Sequence, residues 1–193
     1  MRNQFRKRIR LARYVIYKET LIDYREQIWT FIGSFLGLSL IGVLNTDILS
    51  PNDNLFLIGS FGATAVLLYG IINSPLAQPR NLVGGHVLSA LVGVTVCHLM
   101  PDLVWLASAL SVSLSIVLMQ ITKTLHPPGG ATALIASIGS EKIRALGYWY
   151  VLSPVLSGVL ILLLVALVCN NLSPQRSYPK NKNWYKFWQR KYR

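Results

Sequence analysis

The chain has 193 residues, is 52% hydrophobic and 13% charged, and carries a formal net charge of +12. A basic balance of that size suggests either nucleic acid or an anionic membrane surface as partner. Its distribution argues against the first: residues 1–26 hold eight Lys/Arg, residues 174–193 hold seven, and the stretch between holds only Arg80, Lys123, Lys142 and Arg144.

Residues 1–26 read as a basic cytoplasmic segment. No apolar run follows its charges early enough for a signal peptide, and Glu19, Asp23 and Glu26 are acids that a transit peptide largely lacks. Five stretches then meet or approach the roughly 20 apolar residues of a spanning helix: Ile28–Leu44, Leu55–Asn73, Leu82–Met100, Leu103–Ile121 and Tyr148–Cys169. A sixth, Gly129–Gly139, is apolar but short. Trp29, Trp105, Trp149 and Tyr150 fall near predicted ends, as an aromatic belt does. Residues 174–193 read as a basic cytoplasmic tail whose "NWYKFWQRKYR" lies on the anionic inner leaflet. The expected class is therefore an all-α polytopic transmembrane bundle, residues 27–173. Nucleic-acid binding has no fold to carry it.

The basic ends should share the cytoplasmic side, which demands an even number of crossings. Four crossings would make both short segments re-entrant and put Arg80, Lys123, Lys142 and Arg144 outside. Six put Arg80 and Lys123 inside and Asp47, Asp53 and Asp102 outside, so six crossings are expected, the fifth partly non-helical. Gly62-Ala63-Thr64-Ala65 matches Gly130-Ala131-Thr132-Ala133 at an offset of 68 residues. Each copy sits in the middle segment of its half. Three crossings per half is odd, so units 27–100 and 103–170 would be inverted repeats with broken middle helices.

The break is written in "LHPPGGATAL", Leu125–Leu134. Pro127 and Pro128 lack backbone N–H groups, and Pro127 pushes His126 toward an extended conformation. Gly129 and Gly130 allow a close-packed entry into a short helix inside the protein. The first amides of a helix have no intrahelical partner and carry partial positive charge, which favours an anion. If the Gly62 copy also starts a half-helix, two positive ends face each other near the midplane. The expected substrate contacts are Ser60, Gly62, Ala63, Thr64, His126, Gly129, Gly130, Ala131 and Thr132. A cation site would want carboxylates at this depth, and Asp47, Asp53, Asp102 and Glu141 all fall at predicted ends or loops. Coupling through histidine stays open. The bland reading of the proline-glycine stretch is a structural kink or a loop.

At "HPPGGATAL" the chain resembles the HPP family of integral membrane proteins. "GSFGATAVLLYG" (Gly59–Gly70), "SPLAQPRNLVGGHVLSALVG" (Ser74–Gly93) and "ITKTLHPPGGATAL" (Ile121–Leu134) are similar too, so the resemblance covers roughly residues 28–170. It implies transport of nitrite, at a cyanobacterial plasma membrane or a chloroplast inner envelope, and four membrane helices rather than the six counted above. The soluble CBS region of some members has no counterpart here. The residues by themselves imply only a small anion or neutral solute.

Several residues keep two readings. His126 is a gate, a proton relay or an anion donor, or else a cap on carbonyls at the break. His86, after Gly84-Gly85, faces the bundle as a functional or a structural group, and His98 reads as interfacial. Arg80 and Lys123 draw anions to the cytoplasmic mouth or serve as ordinary anchors. Gln78 and Asn81 bind an anion or satisfy turn backbone. Ser89, Ser111, Ser113 and Ser115 serve helix packing. Cys97 and Cys169 sit in apolar runs without metal or disulfide spacing. No nucleophile elbow, phosphate loop or metal cluster suggests an enzyme, and no metal or cofactor is called for. The expected function is a transporter or channel for a small inorganic anion. The rivals are a neutral-solute channel (nitrous acid, ammonia, urea or water) and a non-transporting scaffold. Expected partners are the anion, the bilayer with anionic lipids at the basic ends, and a second copy of the chain.

Overall fold

Helices follow one another along the chain, and two prolines decide where two of them begin. The computed structural model describes residues 24–45 and 59–181, and among these there is no strand. The basic segment before residue 24, the loop bearing Asp47 and Asp53, and the aromatic-basic tail from residue 182 lie outside the described residues.

Helix α1 covers Tyr24–Asn45. Helix α2 is helical from residue 59, where the description resumes, and widens into π-turns over Val66–Gly70. A 3-10 turn, Pro75–Ala77, leads to α3, Pro79–Leu99. Pro79 sits in the first turn of α3, after an extended Gln78. Its fixed φ suits a helix start, and its missing N–H would have been unpaired there anyway. Helix α4 is Val104–Ile121 and α5 is Pro128–Ile138, again opened by proline. The five residues of α6, Glu141–Ala145, are capped by Ser140, whose Oγ accepts from the Ile143 amide at 3.4 Å. Helix α7, Val151–Leu172, starts in π-turns and is kinked at Ser153 (φ −138°, ψ 122°), next to Pro154. A proline inside a helix removes one ladder bond and clashes with the turn before it, which accounts for the kink.

Among the described residues, four helices are long and apolar enough to cross a membrane: Tyr24–Leu44, Pro79–Leu99, Val104–Ile121 and Val151–Leu172. The eleven residues of α5 rise only about 16 Å, too short for a hydrocarbon core of about 30 Å. These four agree in number with the helices that the family resemblance implies. Of the two remaining apolar segments, α5 is a short helix inside the bundle, and α2 is described from residue 59 onward.

Close approach of α3 and α5 holds that interior together. A Cβ on Gly93 would lie 2.6 Å from the Ala133 carbonyl oxygen, and one on Gly129 would lie 2.8 Å from that of Gly85. Only glycine lets two backbones meet this closely, a common device where lipid cannot drive helices together. Outward faces of α1 and α4 remain exposed and apolar, including Phe31, Phe35, Val43, Trp105, Val117 and Ile121.

Hydrogen bonds sort the loops into two ends. Thr30 donates to the Tyr69 carbonyl, Arg80 to that of Thr122, Asn81 to that of Leu125, and the Tyr178 hydroxyl to that of Ala77. The start of α1, the turns at 71–78 and 122–127 and the segment after α7 therefore share one end. At the other, Thr95 meets the Tyr148 hydroxyl and His98 stacks on the Tyr148 ring.

Candidate functional site: a buried histidine and hydroxyl chain

Five polar side chains meet where α2, α3 and α5 converge. Ser60 and Thr64 come from α2, His86 from α3, His126 from the turn before α5, and Thr132 from α5. None is more than 2% exposed. Ser60 and Thr64 are four residues apart, as are Pro128 and Thr132, so each pair lies on one helix face.

The contacts form a continuous chain. The Ser60 and Thr132 hydroxyls are 2.8 Å apart, and Ser60 Oγ also lies 3.2 Å from the Pro128 carbonyl oxygen, its counterpart at the 68-residue offset. Thr132 Oγ1 is 2.7 Å from His86 Nδ1. His86 Nε2 is 2.8 Å from Thr64 Oγ1, which is 3.1 Å from His126 Nε2. His126 Nδ1 ends the chain, 2.8 Å from the Leu76 carbonyl oxygen. The rings of His86 and His126 are 4.9 Å apart, and Phe61 covers the other side of His86 at 5.5 Å. Tyr150 fixes α5 from outside by donating to the Thr132 carbonyl at 3.0 Å. From this meeting point α2 runs to the end shared by Thr30 and Tyr69, while α5 runs away from it.

The chain matches the family model "HPP, transmembrane region" over residues 19–179. It belongs to the HPP transmembrane family. It is also similar to two curated Dictyostelium discoideum proteins, each named only as a transmembrane protein. One is 48% identical over 160 residues, covering 81% of this chain and 56% of the relative. The other is 45% identical over 163 residues, covering 81% and 51%. The chain thus spans about half the length of the curated relatives it matches. No solved structure matches. Together with the four long apolar helices, family membership makes this an integral membrane protein.

Not every residue expected at the site of this HPP protein is there. Ala63 is exposed, Gly62 is half-buried with nothing within 4 Å of an added Cβ, and Gly130 and Ala131 are half-buried. The described part of α2 passes through Gly62 without a break, so that copy does not start a half-helix there. The start of α5 offers no free amides either. Pro128 has none, the Gly129 amide donates to the His126 carbonyl at 2.8 Å, and the Gly130 amide donates to that of Pro127 at 3.0 Å. Hydroxyls and imidazoles, rather than free backbone amides, are the polar groups at the convergence. Gly129 is buried as the contact point with α3.

Residues expected at the mouth are tied to backbone. Gln78 donates to the Ile72 and Ser74 carbonyls and accepts from the Lys180 amide, the turn-satisfying reading. Asn81 and Arg80 hold the 122–125 turn, and exposed Lys123 occupies it with φ 57°. Among the serines, Ser111 meets Ser137 at 3.3 Å and Ser89 meets the Met119 sulfur, both helix-packing contacts. No group of three or more His, Cys, Asp or Glu able to hold a metal occurs among the described residues.

Sequence reasoning missed a second buried polar node. Arg176, in the segment read as a surface tail, is 7% exposed. Its Nε donates to Glu26 Oε2 at 2.6 Å. Nη1 donates to the Tyr69 carbonyl and to Asn170 Oδ1, both at 3.1 Å, and Nη2 donates to the Glu26 carbonyl at 2.5 Å and Thr30 Oγ1 at 2.8 Å. Asn170 in turn donates to the Leu68 carbonyl at 2.8 Å. The π-turns end α2 with carbonyls that have no helical partner, and a cation at a helix C-terminus is favoured. Tyr178 packs nearby, and burial pushes its phenol above the ordinary range. Tyr150, read as an interfacial aromatic, is fully buried.

Proposed function

We propose that this protein carries a small inorganic anion across the membrane, nitrite being the substrate that the HPP resemblance implies. The observation that supports this reading most is the convergence of Ser60, Thr64, His86, His126 and Thr132 inside an apolar bundle. Polar and ionisable groups within a membrane are costly and mark pathways by default. Every bond in the chain is made by a hydroxyl, an imidazole or a carbonyl, and no carboxylate takes part. Hydroxyl and imidazole groups can donate hydrogen bonds to an anion, and the site has none of the carboxylates that hard divalent cations favour.

The site is closed to both ends in this conformation, so transport requires the elements around it to move. The kink at Ser153 is where α7 departs from a regular helix. The arm-bearing end, with Arg25, Arg80, Lys123, Arg176 and Lys180, is assigned to the cytoplasmic or stromal side by the excess of Lys/Arg. Lys142 and Arg144 are the exceptions at the opposite end. Nitrite uptake by proteoliposomes of the purified chain tests the proposal: uptake above that of empty vesicles is expected, and none at any imposed gradient would refute it.

A further inference from the structure

The hydrogen-bond chain has only one proton arrangement when both histidines are neutral. A carbonyl cannot donate, so His126 must carry its proton on Nδ1, facing Leu76. His126 Nε2 then accepts from the Thr64 hydroxyl. Thr64 has spent its proton and must accept from His86, which is therefore protonated on Nε2. His86 Nδ1 accepts from Thr132, and Thr132 accepts from Ser60. The two histidines are thus opposite tautomers, and every bond points from Ser60 toward Leu76.

Spare acceptors lie beside the two hydroxyls that would have to turn. Thr64 Oγ1 is 3.3 Å from the Ser60 carbonyl oxygen, and Ser60 Oγ is 3.2 Å from that of Pro128. Either histidine can therefore take a second proton without leaving a polar group unpaired. If His126 is the imidazolium, Nε2 donates to Thr64, which turns its own proton to the Ser60 carbonyl. If His86 is the imidazolium, Nδ1 donates to Thr132, Thr132 donates to Ser60, and Ser60 turns to Pro128. A purely structural polar core needs one satisfied arrangement; this one has at least one for each of three protonation states.

We infer that His86, Thr64 and His126 hold one exchangeable proton and pass it between the two rings, so that the anion moves together with a proton. In the transfer His86 gives its Nε2 proton to Thr64 Oγ1 while Thr64 gives its hydroxyl proton to His126 Nε2. One N–H and one O–H bond break, one of each forms, and the single positive charge moves from one ring to the other; His86 is left protonated on Nδ1 toward Thr132, its Nε2 accepting from Thr64, while Ser60 stays turned to the Pro128 carbonyl. The imidazolium supplies the positive charge that the neutral site lacks for an anion. Groups facing the rings are hydroxyls, the Leu76 carbonyl, Phe61 and each other. Tyr150 stands one bond further out on the Thr132 carbonyl, and Arg80 and Lys123 lie at the 122–127 turn. The coupling of this relay to substrate rests on the transport proposal, whereas the shared proton does not.

The test uses the full chain in bilayers with 15N-labelled histidine, and needs no substrate. Nitrogen NMR near neutral pH is expected to show His126 protonated on Nδ1 and His86 on Nε2. On acidification both rings should respond together, to the uptake of one proton by the pair. In Thr64→Val the two should respond separately, and Thr64→Ser, which restores the hydroxyl, should behave as wild type. Identical tautomers in the two rings, or independent titration in the wild type, would overturn the relay even if uptake is normal. The expected tautomers with no uptake of any small anion would overturn transport and leave the shared proton standing. In vesicles, uptake should follow an imposed pH gradient and not voltage, and should fall at least tenfold in Thr64→Val but not in Thr64→Ser; uptake driven by voltage alone would refute coupling to the proton.

Discussion

Two polar nodes are buried in this protein, and they are built differently. The node at Arg176 is charged, lies at one end of the bundle and uses all five guanidinium N–H groups on fixed partners. The chain from Ser60 to His126 is assembled from neutral-capable groups, lies deep between helices and has alternative acceptors at two positions. A permanent charge is tolerable near a membrane end, where water and headgroups are close, and costly at depth. A group that gains and loses charge is tolerable at depth only if both states are hydrogen-bonded. The first node therefore reads as a clasp that fastens the start of α1 and the segment after α7 to the end of α2. The second reads as the working site.

That contrast is broken most severely at the clasp. Arg176→Leu leaves Glu26 without its ion pair and the Tyr69 carbonyl without one of its donors. Removing one partner of a buried pair costs about 3–5 kcal/mol. The expected outcome is loss of folded protein in detergent thermal-unfolding assays; a melting temperature equal to wild type would show that the clasp fastens nothing. Gly129→Ala acts on the framework of the working site instead. Its Cβ would meet the Gly85 carbonyl oxygen and Ser89 Oγ, each at 2.8 Å, an overpacking worth about 1–3 kcal/mol. Reduced stability with α3 and α5 forced apart is expected, measurable as faster amide exchange at 85–93.

Thr132→Val sharpens the comparison because its effect on stability and on function should differ. It keeps the volume but leaves His86 Nδ1 without a donor, at roughly 1–3 kcal/mol. The protein should still fold while uptake drops about tenfold, and unchanged uptake kinetics would remove Thr132 from the pathway. His98→Phe is the mildest. His98 is exposed, bonds the Val94 carbonyl of its own helix at 2.8 Å and stacks on Tyr148. A change within about 0.5 kcal/mol and normal uptake are expected; a transport defect would mean that a third polar region matters.

Much of the buried polar chain was legible in the sequence because proline and glycine have few uses in a membrane segment. "HPPGG" located the break, and the repeated Gly-Ala-Thr-Ala located the two helices whose threonines meet His86. Helical periodicity explains which neighbours were wrongly included. In each motif the threonine faces the bundle, so the residues one and two positions before it turn away, which puts Ala63 and Gly62 of α2 and Ala131 and Gly130 of α5 outside the chain of contacts. The free amides expected at the start of α5 were lost to a local effect that spacing does not reveal: the carbonyls of His126 and Pro127 fold back onto them. Arg176 was not legible at all. A count of Lys and Arg treats every basic residue as a surface anchor, and the partner of Arg176 is Glu26, 150 residues away. The only available hint was that Glu26 is the last of three acids in a basic segment, at the edge of the first apolar run.

If the neutral hydroxyl-imidazole chain is a transport site, nitrite uptake into proteoliposomes under an imposed pH gradient will depend on its hydroxyls. The comparison is wild type against the Thr64→Val/Thr132→Val double variant, at a temperature where both are folded. Uptake well above empty vesicles is expected for the wild type, with at least a tenfold loss in the double variant. Equal uptake by both proteins, or none by either, would contradict the transport-site reading.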